Sequence, residues 1–354
     1  MQAVLRTRRT QGLRPAGHLA AGALALAAVL TVGAGPSLAD TLYDMARQEG
    51  ALTVYLQEPS SVAEDLVAGF KQKYEGISVD YFRSATTQIA QRVETEAAAG
   101  QTVADVFTVT ERRAMLMDQA LFAAYRSPHL AAYPAELNPD DHLWSTYSMS
   151  LTSFAWNTAL LSEAERPKTW QDLVDPKWQG KIGMQDPLAG GGVASWIATM
   201  YAVLGEEAWE DYMSRLGKLK PLYGKYMQVQ DMLGAGEVQV MPAAYPDYIQ
   251  SLKDKGAPVE WGAPSPMIRY AFSIALTAKA PHPNAGKLFV DFILSPDGQA
   301  ILARNGRLPA LKSEWPPEVA DRLAGVELVP SADAIEKEKF DFFQEKMKAY
   351  FGAR

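Results

Sequence analysis

The residues able to do chemistry fall in a few short polar segments. Residues 186–195 read Asp-Pro-Leu-Ala-Gly-Gly-Gly-Val-Ala-Ser, after an apolar stretch and before a helical pattern. Glycines let backbone N–H groups approach a ligand closely, and a helix N-terminus attracts negative charge. Gly190, Gly191 and Gly192, with the Ser195 hydroxyl, therefore form a candidate cradle for a carboxylate, phosphate or phosphonate, or for an anion beside a metal. The same loop also reads as a plain flexible turn. It is not a Walker loop, since no Gly-Lys-Ser/Thr follows. Arg83 with Ser84 and Thr87 is a second candidate, because a guanidinium clamps an oxyanion bidentately. The alternative is a surface arginine next to a helix cap. Ser60 is placed to donate to a ligand and Ser61 to cap a helix. Tyr245 follows an apolar strand pattern, and Tyr248 shares its helical face three residues on. Tyr223 and Tyr226 read as packing residues, while Arg269 and Tyr270 read as hinge or ligand contacts.

Signatures of catalysis are missing. His129, His142 and His282 stand in no metal-ligand spacing, and no Gly-x-Ser-x-Gly elbow occurs. Gly234-Ala-Gly236 precedes a strand pattern rather than following one, so it is no dinucleotide fingerprint. No catalytic residue is assigned and no cofactor is expected.

These segments need elements to hold them. Residues 51–56 read as a buried strand and 61–74 as a helix opened by a Ser61/Glu64 capping box. A strand at 77–82, a helix at 87–99 ended by Gly100, a strand at 103–109 and a helix at 111–121 follow. Strand-helix alternation implies a parallel sheet whose ligand-facing loops are 57–61, 83–87 and 110–112. Residues 147–156 read as a crossing to a second α/β half. That half holds strands at 181–185, 238–243 and 258–261 and helices at 193–204, 206–216 and 228–234. Residues 270–277 return, and two crossings between two halves make a hinge and a cleft. Helices begun at Pro283 and at Ser295-Pro296, and one over 335–350, close the chain.

The chain begins with Arg6, Arg8, Arg9 and Arg14, an apolar Ala/Leu/Val/Gly run over 19–35, and Ser37-Leu38-Ala39. That order predicts a secretory signal peptide cleaved after Ala39; the alternative is a retained membrane anchor, for which the Ala- and Gly-rich run is somewhat short. Removing 39 of 354 residues leaves 315, enough for two lobes. The leader takes four arginines with it, so the formal charge falls from −7 to −11. So acidic a protein is not expected to bind nucleic acid. Cysteine is absent, which excludes disulfides and a thiol-linked lipid anchor. The expected location is the periplasm.

The segment 167–182 (Pro-Lys-Thr-Trp-Gln-Asp-Leu-Val-Asp-Pro-Lys-Trp-Gln-Gly-Lys-Ile) resembles the start of the second lobe in periplasmic solute-binding proteins of ABC importers, in their ferric-iron-transport-like group. Thr95 to Gly100, Ala104-Asp-Val106, Gly236-Glu237, Ala257-Pro-Val259, residues 281–292 and Ser295-Pro-Asp-Gly-Gln299 are similar to that group too. The resemblance implies an α/β, two-lobed type II binding-protein fold with two hinge crossings. Its lobes would comprise 40–150 with 265–315, and 151–264 with 316–354. It also implies a monomeric receptor handing a small solute to a membrane permease. Iron-binding members use a histidine, a glutamate and two adjacent tyrosines; the matching places here are Pro59, Thr110 beside Glu111, and Tyr245-Pro246 with Asp247 and Tyr248 beyond. Only Tyr245 matches, whereas ferric iron wants several hard anionic oxygens. The expected solute is therefore an organic anion or oxyanion held by Ser60, Arg83, Ser84, Thr87, Thr110, the glycine loop, Ser195, Tyr245 and Tyr248. A ferric site of Tyr245, Asp247, Tyr248 and Glu111, with ferric iron as the ligand, and an exported enzyme are the alternatives.

Overall fold

The computed structural model describes residues 38–189, 192–332 and 337–352. The leader before Leu38 and the cradle glycines Gly190 and Gly191 lie outside the described residues.

Strand β1 (Ala51–Leu56) lies between β2 (Ser78–Arg83) and β3 (Val106–Thr110), all three parallel. The crossovers are helices Ser60–Lys73 and Thr86–Ala98. The first helix buries Val62, Ala63, Leu66, Val67 and Phe70, the apolar stripe its sequence spacing requires. Phe70 meets Phe289 and Phe292 of helix Pro283–Leu294 at ring separations of 5.2 and 5.6 Å. Two start and stop signals resolve differently from the expectation. The Ser61/Glu64 capping box does not form. Pro59, with ψ 153°, is the N-cap, so Ser60 becomes the first helical residue. The helix expected over 111–121 stops at Leu116, because Met117 turns extended and the Asp118 carboxylate accepts the Ala120 N–H to start a separate 3-10 turn.

After the short β4 (Phe122–Ala123), the chain enters β5 (Ser145–Asn157), thirteen residues long and almost wholly buried. The second half holds the parallel pair β6 (Gly183–Gln185) and β7 (Leu222–Gly224), and β8 (Val240–Ala244) and β9 (Val259–Trp261), which pair antiparallel with the far end of β5. Then β10 (Met267–Thr277) returns antiparallel to β5 and pairs with β3 through its C-terminal residues. β11 (Leu308–Pro309) joins β5 at Ser148 and Met149, and β12 (Leu328–Pro330) joins β10. Two long strands therefore run from one half into the other, in agreement with the crossings expected at 147–156 and 270–277. The sheet is mixed rather than purely parallel, because the return strand is antiparallel to β3.

Separate apolar clusters sit on either side of these crossings. One gathers Leu52, Phe70, Tyr147, Phe289 and Phe292. Another gathers Trp170, Trp178, Trp196 and Trp209 with Phe343, Met347 and Phe351 of the closing helix Lys337–Phe351. Helix Pro296–Arg304 starts where expected, with the Ser295 hydroxyl accepting the Gly298 N–H. Helix Pro246–Asp254 is the element behind the helical face read for Tyr245 and Tyr248, with Tyr245 as its N-cap and Pro246 at its first turn as the start signal.

Candidate functional site

Between the halves, beside the crossing strands, lies a cleft of about 750 Å³. The loop after β3 contributes Thr110, Glu111 and Arg112, and helix Thr86–Ala98 contributes Thr87. The Thr110 hydroxyl accepts the Arg113 N–H at 3.3 Å and so starts the short helix that presents Glu111 and Arg112. β10 contributes Arg269 and Tyr270. An Arg269 Nη1 donates to Glu111 Oε2 at 3.3 Å, and both side chains are largely buried, so this cation is already matched. Arg112 has no acidic partner among the described residues, and its Nε is buried without a hydrogen bond. Arg112, Arg269 and Arg307 all reach the cleft wall, but Arg307, like Arg269, has acidic partners, Glu58 and Asp247.

The far wall is built on tyrosines. Pairing of β5 with β8 shifts register between Ser153 and Ala155, and Ala243 takes a left-handed φ of 53°. Such a bulge bends the strand and re-aims the residues that leave it. Tyr245, just past the end of β8, is the N-cap of helix Pro246–Asp254. Its backbone N–H donates to Tyr226 Oη at 2.9 Å. Its ring lies 4.9 Å from Tyr226, 6.0 Å from Tyr248 and 6.4 Å from Tyr270. Tyr245 Oη comes so close to Gly192, first residue of helix Gly192–Leu204, that a Cβ there would lie 1.6 Å from it. The Tyr270 hydroxyl donates to Gly192 O at 3.4 Å. Only glycine leaves room for the phenol at the start of that helix. Burial, with the Asp247 charge and Tyr248 adding to it, pushes the Tyr245 phenol up to about 12. It is therefore a hydrogen-bond donor at neutral pH.

Of the residues singled out from sequence, Thr87, Thr110, Glu111, Gly192, Ser195, Tyr245 and Tyr248 line this cleft. Ser60, Arg83, Ser84 and Asp247 do not. Ser60 is an exposed helix start. Arg83 turns to Glu58, donating to its carbonyl at 3.3 Å. Ser84 continues the chain beside β1 through its N–H to Leu56 O. Asp247 faces Arg307. Arg112, Ser150, Arg307 and Ser331, which sequence reasoning does not nominate, also line the cleft. For Arg112 a signal exists, since it closes the 110–112 loop at the carboxyl end of β3. Arg307 and Ser331 carry none, because they reach the cleft from segments far along the chain. Among the described residues no three His, Asp or Glu side chains converge as metal ligands.

Residues 101–326 match the family of bacterial extracellular solute-binding proteins. The chain belongs to that family. Its members are binding proteins, and this one is a periplasmic solute-binding receptor of an ABC importer, in agreement with the resemblance carried by residues 95–106, 167–182 and 281–299. It is 26% identical to the Fe(3+)-binding periplasmic protein of Serratia marcescens over 54% of this chain and 56% of that one. It is 25% identical to a putative 2-aminoethylphosphonate-binding periplasmic protein of Salmonella typhimurium, over 78% of this chain and 80% of that one. The fold is similar to that of the periplasmic binding protein AfuA from Actinobacillus pleuropneumoniae, solved with exogenous fructose-6-phosphate bound: TM-score 0.62, 24% identity, 86% of this chain and 99% of that one. The architecture is thus the two-lobed type II binding-protein fold, with β5 and β10 as hinge crossings.

Proposed function

We propose that the receptor captures a small organic anion, a phosphate, phosphonate or carboxylate, and delivers it to its permease as a soluble monomer with no nucleic-acid partner. The lobes are 40–150 with 265–315 and 151–264 with 316–354, freed in the periplasm by cleavage after Ala39. The observation carrying this reading is the charge of the cleft: Arg112, unpaired and partly buried, beside the Glu111-neutralised Arg269. A buried guanidinium edge without a partner is costly unless a ligand satisfies it. An oxyanion does so with charge-assisted hydrogen bonds of about 1.5–3 kcal/mol each. Two or three of these, with the Tyr245 phenol as a further donor, approach the roughly −8 kcal/mol of a micromolar complex. The tyrosine wall offers a face for the carbon skeleton. Relatives with phosphonate in their names and a structural neighbour holding a sugar phosphate point the same way. The mechanism is a population shift in which a solute bound to one lobe is gripped by the other.

Calorimetric titration of the mature protein with fructose 6-phosphate, 2-aminoethylphosphonate and citrate tests this. The expected result is saturable one-to-one binding by at least one of them, weakened about tenfold to a hundredfold by Arg112→Gln. Silence from all three, or indifference to Arg112→Gln, contradicts it.

A ferric cargo has one observation in its favour, the convergence of Tyr245, Tyr248 and Tyr270, together with the Serratia relative. Against it, Glu111 is held by Arg269 and Asp247 lies outside the cleft wall. Ferric loading is expected to leave the protein without tyrosinate colour.

A further inference from the structure

Arg307 belongs to the cleft wall, yet its hydrogen bond to Glu58 and its ion pair with Asp247 point away from it, one toward each half of the molecule. It precedes β11, which is clipped to β5 near the hinge. Its Nε donates to Glu58 Oε2 at 2.8 Å. Glu58 is 1% exposed and fixed from its other oxygen by the Tyr147 hydroxyl at 2.7 Å and the Ser148 hydroxyl at 3.4 Å. That end is anchored to the loop after β1 and to β5. The opposite end of the guanidinium, Nη1, stands 3.5 Å from Asp247 Oδ2 on helix Pro246–Asp254, whose Ile249 packs in a cluster with β8 and β9 residues of the second half. We propose that Arg307 is a positioning residue: a strap with a fixed grip on Glu58 in one half and a breakable grip on Asp247 in the other, which couples the wall of the solute cleft to closure of the halves.

Three features carry this beyond an ordinary ion pair. The grip is lopsided, short and doubly supported at Glu58 and long at Asp247, so parting the halves breaks the Asp247 arm first. Asp247 Oδ1 is buried and makes no hydrogen bond of ordinary geometry, and the carboxyl has only the backbone N–H groups of Asp247 and Tyr248 beside Arg307, a weaker setting than an ordinary structural bridge keeps. Burial accordingly pushes the Asp247 carboxyl above the usual carboxylate range, with Arg307 pulling it back. Finally, Arg307 faces the cleft on one side and, on the other, a second cavity of about 540 Å³ behind the crossing strands that Asp247 also lines. The one side chain therefore meets both spaces that must change volume when a hinge turns. This inference goes beyond the anion reading and does not depend on it.

The absence of cysteine allows a direct test. Nitroxide labels at Leu116→Cys and Met227→Cys, two exposed positions on helices of opposite halves, report their separation by pulsed electron spin resonance. The mature protein is freed of bound solute by unfolding, dialysis and refolding. Asp247→Asn is expected to shift the distance distribution to longer separations while leaving the melting temperature equal or higher. Asp254→Asn, on the same helix but remote from Arg307 in bonding, is expected to leave it unmoved. Arg307→Lys, which keeps the charge and loses the fork, is expected to lengthen the separation as well, and serves as the readout should Asp247→Asn not refold. An unchanged distribution in both variants, or an equal shift from Asp254→Asn, overturns the strap. A fall in melting temperature with no distance change reduces the pair to a structural bridge.

Discussion

At Gly192 a hydrogen atom decides where a tyrosine can be. The Tyr245 hydroxyl occupies the space a Cβ would take, 1.6 Å away, so Gly192→Ala must push the phenol out of the cleft wall. Alanine is the better helix former at that helix start, so the fold is expected to persist. Solute affinity is expected to fall at least tenfold, about 1.4 kcal/mol, with little change in melting temperature. A variant binding as tightly as the parent would show that Tyr245 does not depend on Gly192. Residue chemistry is partly legible in the sequence. Gly192 and Tyr245 stand out because glycine runs and a polar aromatic after a strand are local signals. Their contact with each other is not legible, since it spans two helices. Arg83 rather than Arg112 draws attention in the sequence, because arginines after neighbouring strands look alike there. Only the fold shows Arg83 exposed and bonded to the Glu58 carbonyl, and Arg112 facing the cleft.

Elements are more legible, because their signals are local and repeated. The Ser295 cap, read from Ser-Pro before an apolar pattern, forms as expected. Ser295→Ala is expected to cost about 1 kcal/mol, a melting shift of about 1–2 °C, with solute binding retained. The failed capping box at Ser61 shows the limit of the signal. Pro59 fixes the turn one residue earlier, and backbone geometry outranks a side-chain match. Asp172 supplies a test by pH. Burial alone would raise its carboxyl, but N–H groups of Lys168 and Thr169, at 2.8 and 2.9 Å, outweigh this and hold it below the usual carboxylate range. Its contribution is therefore complete above the unfolded value near 3.9 and is lost as pH falls through the lower folded value. Asp172→Ala is expected to lower the melting temperature at pH 7 by about one degree, roughly 0.5–1 kcal/mol given its partial exposure. The gap from the parent should close toward pH 3. A gap constant with pH would mean that the charge is not the cause.

The whole molecule rests on two strands. The crossings are legible as stretches, although β5 mixes polar with apolar residues; that even its Ser148, Thr152 and Ser153 are buried follows from its passing through the middle of the structure. Their partners are not visible: β11 and β12 add to the crossings from chain segments that carry only two or three strand residues each. Those late segments bring Arg307 and Ser331 to the cleft, so the least legible part of the site is the part assembled last along the chain. Net charge misleads at this scale. In a chain that is formally −7, Arg269 is matched by Glu111 and Arg307 by Glu58 and Asp247. That leaves Arg112 as the cleft arginine without an acidic partner among the described residues, and one local cation is how an acidic protein can select an anion. The most direct test is mass spectrometry of the receptor isolated from periplasm, first native and then denatured. The account predicts a small-molecule adduct that is released on denaturation and carries a phosphate, phosphonate or carboxylate group. An adduct of iron alone, or a neutral or cationic metabolite in that place, would contradict it.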